Sequence, residues 1–387
     1  MTGGGDRPYA LGLANTLISL RIPFDFIASD DLDSPELRKN PLVRFLNLRG
    51  DQRTDAPTVT KIRRLTAYYC RLFAYAAASE ARIFHILWNN KIESFDRTLL
   101  MLYYKLMGKR LVLTAHNINK NKRDGNDKWI NRVTLGIQYR LMDHVFVHTE
   151  LMKRELKADF HVADEKISVI PFGINSTVPD TDMSAEEARR LLGLSLGEKV
   201  LLFFGNIAPY KGLEFLVEAL LLLSRSGQRY RLIIAGRPKG SESYWEAIRS
   251  RIADTELAGT IIQRIEYIPD ESTEIYFKAA DVLVLPYTHV FQSGVLSLGY
   301  NFGLPVIAAD VGSLRDDIVE GRTGYLCRSK DPHDLASCIE RYFNGEMHSQ
   351  IAVLRHQIRR HAYDRYSWEK VGSITGNIYK NLNMSFG

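Results

Sequence analysis

At 387 residues the chain is longer than one hydrophobic core of ordinary size organises, so two domains are expected. Hydrophobic residues make up 45% and charged residues 25%, the balance of a soluble globular protein. Cys70, Cys327 and Cys338 are too few and too scattered for a disulfide framework or a zinc site. No apolar run approaches the roughly 18–20 residues of a membrane span, and the start, Met1 to Asp6, is not a signal peptide, so a reducing, cytoplasmic setting is expected.

The net charge of +6 is uneven: residues 1–175 hold 27 Lys and Arg against 19 Asp and Glu, the remainder 24 against 26. A basic N-terminal half suits an anionic partner, such as the acidic inner face of a membrane or a phosphorylated lipid, and a merely solvated basic face has the same composition. The chain has no RNA-binding aromatic motif, zinc finger or basic zipper, so no nucleic-acid partner is expected.

In chain order, Gly3-Gly4-Gly5 precedes a helical pattern from Tyr9 to Ser19. A glycine-rich loop before a helix ordinarily follows a strand, so the first strand of the N-terminal sheet is expected to be missing from this sequence; a flexible leader is the alternative. Apolar runs at Phe24–Ala28, Ile83–Leu87, Leu111–Thr114, His144–Val147 and Ile167–Ile170 alternate with helical patterns. This is the signature of an α/β fold with parallel sheets. Arg63 to Tyr75 mixes basic and aromatic residues on a helix that either rests on a membrane surface or packs in the core. The polar stretch Asn175 to Asp182 reads as a linker, after which the pattern restarts with Val200–Phe204, Arg231–Ala235, Ile261–Tyr267, Val282–Pro286 and Pro305–Ala308. Two such halves imply two Rossmann-like domains facing a cleft.

The strand Val200–Phe204 runs into Gly205, and six residues later Lys211-Gly212 opens an amphipathic helix, Leu213 to Leu223. A tight strand-to-helix turn with exposed N–H groups and one lysine suits a phosphate. A second such start follows Val282–Pro286, where Gln292-Ser293-Gly294-Val295 opens a helix; Ser293 is an N-cap or part of an anion site. Gly303-Leu304-Pro305-Val306 and the glycine-bounded turn Gly321 to Gly324 complete the pattern.

These segments, with Ala235-Gly236 and Ala280-Asp281, resemble the family 4 glycosyltransferases of the GT-B fold. The likeness is strong over about residues 165–345 and weaker in Gly3–Gly5, Thr114-Ala115-His116-Asn117 and Ile170 to Asn175. It implies an acceptor-side domain, residues 1–175, onto which a last helix at about 368–387 packs back, with Trp368 in a packing role. It also implies a nucleotide-sugar domain over residues 176–367. The expected activity is a retaining, metal-independent transfer of a sugar from a UDP- or GDP-sugar to a hydroxyl of a surface polysaccharide or lipid-linked glycan. The donor would be the only small molecule required, with no separate cofactor. Lys211 would neutralise the leaving diphosphate and His116 would sit near the donor sugar. The donor site would be completed by Gly4, Gly5, Gly205, Asn206, Gly236, Arg237, Tyr267, Gln292, Ser293, Gly294 and Val295. Trp88, Asn117 and Arg123 would line the acceptor pocket. Asp31-Leu32-Asp33 spells a metal-binding DxD but lies in an early loop, and Asp180-Thr181-Asp182 lies in the linker, so neither is taken as a metal site.

Two departures stand out. Counting back from Gly303, the places of two glutamates usual in the family hold Val290 and Leu298, and the usual arginine after Gly205 is Asn206. A degenerate member that binds nucleotide or glycan without turnover is therefore the rival reading. A sugar-nucleotide epimerase would need carboxylates placed to move a proton at the sugar ring, and Val290 and Leu298 count against it.

Overall fold

The computed structural model describes residues 7–53, 56–119, 127–173 and 178–384. The chain divides into two compact units, Met1–Gly173 with Ser367–Gly387, and Ile174–Tyr366.

The second unit is built on one parallel sheet. Its strands are β7 (Val200–Phe204), β8 (Arg231–Ala235), β9 (Ile261–Arg264), β10 (Val282–Leu285), β11 (Val306–Ala309) and β12 (Gly324–Cys327), in the order β12-β11-β10-β7-β8-β9. Every residue of β10 and β11 is buried, which is why such strands read as unbroken apolar runs. The helix Leu213–Arg225 buries Leu213, Leu216, Val217, Leu220 and Leu221, the i, i+3, i+4, i+7, i+8 face of an amphipathic helix. A capping box between Ser184 and Glu187 starts the helix Ala185–Leu191. Strand order reverses between β7 and β10, the topological switch point outside whose carboxyl ends ligands bind in open α/β sheets.

The first unit carries two parallel sheets. One pairs β1 (Phe24–Ile27) with β2 (Val43–Leu46); the other runs β3 (Ile83–Ile86), β4 (Arg110–Thr114), β5 (His144–Val147) and β6 (Ile167–Val169) in order. A cavity of about 430 Å³ lies between β1 and β3, lined also by Leu13, Leu17 and Tyr379. The helices Arg7–Ser19 and Trp368–Met384 pack together. Trp368 fills space that only glycine leaves open: a Cβ would come within 2.0 Å of its ring at Gly12 and within 2.5 Å at Gly173.

The structure adds two strands to those expected, β2 and β12, both of four residues. Gly324 belongs to β12 because a Cβ there would meet the Val306 carbonyl at 1.8 Å, a closeness that ties the glycine to strand pairing rather than to the preceding turn alone. The strand expected to reach Tyr267 stops at Arg264, since its partner β8 ends at Ala235 and leaves nothing beyond to pair with.

Candidate functional site

In the second unit the loops after β7, β8 and β10 meet at the switch point. Gly205, at φ +96°, donates its N–H to Ala235 O at 2.9 Å, and Ile207 donates to Arg237 O at 3.0 Å. A Cβ on Gly236, at φ +145°, would lie 1.9 Å from the Gly205 carbonyl, so these two loops touch backbone to backbone. Gly212 sits against the Pro286 carbonyl in the same way, and Thr288 donates its N–H to Tyr210 O at 2.8 Å. The loop carrying Lys211 is thereby tied to the loop that follows β10.

Lys211 is buried, and its ammonium donates to the Tyr287 hydroxyl at 3.0 Å while lying 5.0 Å from that ring's centroid. A Cβ at Gly205 would stand 3.2 Å from Lys211 Nζ and 3.3 Å from Val295 Cγ2, so Gly205, Lys211 and Val295 surround one point. Ser293 caps the helix Gly294–Asn301 by accepting from Leu296 N at 3.2 Å, and Ser297 N reaches Ser293 O. Among the described residues this leaves the N–H groups of Gly294 and Val295 as the unfilled donors of the first turn. A lysine and two helix N-terminal donors beside a bare glycine backbone form a place for an anionic oxygen.

Around this point, Arg237 is exposed and its guanidinium lies 5.3 Å from the centroid of the exposed Tyr267 ring. Asn206 faces solvent, and Gln292 Oε1 is buried with no hydrogen-bond partner among the described residues. Val290 and Leu298 are buried in the apolar core of this unit, and the Val290 carbonyl would meet a Cβ on Gly312 at 1.7 Å.

In the first unit, His116 follows the carboxyl end of β4 and His148 that of β5, side by side because Thr114 pairs with Phe146. His148 Nδ1 lies 3.3 Å from Ile170 O, and His148 Nε2 lies 3.1 Å from His116 Nδ1. The carbonyl can only accept, so His148 carries its proton on Nδ1 and accepts at Nε2 from His116 Nδ1–H. That leaves His116 Nε2 as a lone pair, and it is buried without a partner among the described residues. Burial, then the neighbouring His148 and His85, hold the His116 imidazole well below its usual range, and burial brings His148 down to about 4. His116 is thus a neutral acceptor. Trp88 stacks on it, and the Tyr9 ring stands perpendicular to it with centroids 4.6 Å apart.

The residues expected to act together fall into two groups within their own units: Gly205, Lys211, Gly236, Ser293, Gly294 and Val295 in one, Trp88 and His116 in the other. Asn117 is exposed one residue on from His116. Gly4, Gly5 and Arg123 lie outside the described residues. His148 and Tyr287 were not anticipated. Strand register could have pointed to His148, since both histidines end neighbouring strands; the signal for Tyr287 is only its place directly after Pro286. Asp33 is taken by Arg38 at 2.5 Å, and Asp180 by Arg359 at 2.6 Å and Lys278 at 3.0 Å. Among the described residues no group of three His, Cys, Asp or Glu could hold a metal ion.

The profile described as Glycosyltransferase Family 4 matches residues 3–178, and that described as Glycosyl transferases group 1 matches residues 198–344. The chain belongs to the family 4 glycosyltransferases. Among relatives of this family 4 chain is the D-inositol 3-phosphate glycosyltransferase of Acidothermus cellulolyticus, 32% identical over 227 residues, which are 57% of this chain and 50% of that protein. The chain spans about half the length of the curated relatives it matches. Among solved structures, sucrose-phosphate synthase from Thermosynechococcus elongatus superposes with a TM-score of 0.76 at 19% identity, over 99% of this chain and 94% of that one. Anabaena HepE in complex with UDP and glucose gives 0.74 at 16% identity, over 98% of each chain. The family 4 chain thus has the GT-B fold of these glycosyltransferases.

Proposed function

We propose that the protein is a retaining glycosyltransferase that moves a sugar from a nucleoside diphosphate sugar to a hydroxyl of a glycan or lipid-linked acceptor. The observation that carries this reading is the convergence of Lys211, Gly205 and the helix start at Ser293–Val295 on one point at the switch point of the second unit. UDP is the first donor base to test, because HepE was solved with UDP and with UDP-glucose.

In the reaction, the bond from the anomeric carbon to the diphosphate breaks as the acceptor oxygen bonds to the same face of that carbon, and the departing phosphate oxygen takes the acceptor proton. Charge accumulates on the diphosphate as it leaves. Lys211 and the N–H groups of Gly294 and Val295 stabilise it there, in place of a divalent cation. The bare Nε2 of His116 accepts a hydrogen bond from a donor-sugar hydroxyl and holds no proton to compete for it. Arg237 and Tyr267 offer a stacking surface to the base, and Gln292 Oε1 offers an acceptor to the sugar. Trp88, Asn117 and Arg123 belong to the acceptor side. No helix among the described residues is long and apolar enough to cross a membrane, and action on a lipid-linked acceptor would place the enzyme at the inner membrane face, in the cytoplasm.

The test is thermal denaturation with UDP, GDP, ADP and their sugars, for the native chain and Lys211→Ala. A ligand at 100 times its dissociation constant adds about 2.7 kcal/mol of stability. A shift with one nucleotide, lost in the variant, is expected; no shift with any of them would overturn the reading. The burial of apolar Val290 and Leu298 favours a second reading, donor binding without turnover. Binding with neither transfer nor slow hydrolysis of the donor would decide for it.

A further inference from the structure

A second cavity of the first unit, about 410 Å³, opens beyond the carboxyl ends of β2 and β3. Arg49, Asp51 and Arg53 line it from the loop after β2, Lys61 and Arg64 from the start of the helix Thr58–Ala78, and Lys91 from the loop after β3. Five of these six side chains are cationic. The sixth, Asp51, accepts from Arg53 at 2.7 Å and lies 3.1 Å from Arg64, which fixes two guanidinium groups side by side. Arg49 is buried, 5.8 Å from the centroid of Tyr68.

The wall behind the cations is ordered from below. Tyr68 donates to Asn90 Oδ1 at 2.8 Å, and both Asn90 Nδ2 and the Tyr69 hydroxyl bond to the fully buried Asp96. This network anchors the loop that carries Trp88 at one end and Lys91 at the other. Lys91 at the rim of the cavity is three residues along this loop from Trp88, whose ring is stacked on His116. Asp51 engages two of these cations, Arg53 and Arg64, and an oxyanion with several acceptor oxygens would meet the cationic wall through charge-assisted bonds.

We infer that this cavity binds the phosphate of a phosphorylated acceptor and so presents the acceptor's free hydroxyl toward His116. The inference rests on the proposed transferase reading for the word acceptor, but not for the anion site itself. The nucleotide's own phosphates belong to the Lys211 site in the other unit. The site would select against neutral sugars, which offer the cluster nothing to neutralise.

The test is calorimetry of the full chain and of the K61A/K91A double variant, with inorganic phosphate, glucose 6-phosphate and glucose, and with UDP titrated in parallel. Both lysines are exposed, so the variant should fold normally. Phosphate and glucose 6-phosphate are expected to bind and glucose not. Binding should weaken at least about tenfold in the variant and fall with rising salt, while UDP affinity stays unchanged. Sedimentation with phosphatidylglycerol and phosphatidylcholine vesicles separates the sources: capture by the former that is lost in the variant supports the site and assigns it to a lipid phosphate. Equal affinity of the variant and the native chain for phosphate overturns the inference, as does equal binding of glucose and its phosphate, or no binding of any phosphate probe. Phosphate binding that the variant loses, in a chain that binds no nucleotide, would sustain the anion site and remove the transferase reading.

Discussion

Trp88 lies flat on His116, ring centroids 4.5 Å apart and planes within 4° of parallel. With Tyr9 at the edge and His148 holding Nδ1, this leaves the imidazole one orientation. Trp88→Leu should therefore lower kcat by up to about tenfold, the worth of one aromatic contact, and leave UDP affinity unaltered. Steady-state kinetics with separate donor titrations would check it; equal loss in the native-like nucleotide site would contradict it.

Lys211→Met keeps the apolar stem and removes the ammonium that Tyr287 accepts from. Loss of a charge-assisted bond of about 1.5–3 kcal/mol predicts roughly 10- to 100-fold weaker UDP binding. Tyr287→Phe leaves the charge and should cost much less. Calorimetry on both variants gives the comparison.

Four histidines of the first unit are neutral in the fold: burial depresses His85 to about 3, His144 and His148 to about 4, and His116 well below its usual range. In the unfolded chain each takes a proton near pH 6.5. Between about pH 6.5 and 4 the unfolded state therefore binds more protons than the native one, so stability falls as pH drops through that window and is flat above it. The slope for each is about 1.4 kcal/mol per pH unit at most. Urea unfolding from pH 8 to 4 should show this decline, and His148→Gln should flatten it.

Gly236→Ala places a methyl on the Gly205 carbonyl, 1.9 Å away in the unrelaxed backbone. Gly240→Ala shares a positive φ, +74°, but meets nothing within 4 Å. The second change should cost only the strain of a left-handed conformation, about 1–2 kcal/mol. The first should cost more and weaken UDP binding, because the Gly205 loop must move. Melting temperatures and nucleotide titration of the pair measure the difference.

Much of this was legible in the sequence for a definite physical reason. Buried parallel strands such as Val200–Phe204 and Val282–Leu285 are continuous apolar runs, and helix starts leave signatures such as Lys211-Gly212 and Ser293-Gly294. What escaped depends on pairing across the chain. His148 becomes a neighbour of His116 only through the register of β4 and β5, and Tyr287 meets Lys211 only when loops 76 residues apart are joined. The cationic cavity gathers Arg49, Lys61 and Lys91 from three separate segments. Val43–Leu46, four residues long, is too short for its alternation to stand out.

The cavity between β1 and β3 bears on how the protein behaves as a material. Among the described residues, each of these strands has a strand partner on one side only, β2 for β1 and β4 for β3, and apolar side chains line the space they share. Half-paired parallel edges are templates for any extended segment that can enter, including one from a neighbouring molecule. Slow, concentration-dependent clumping would begin there while the second unit, with its six-stranded sheet, stayed folded.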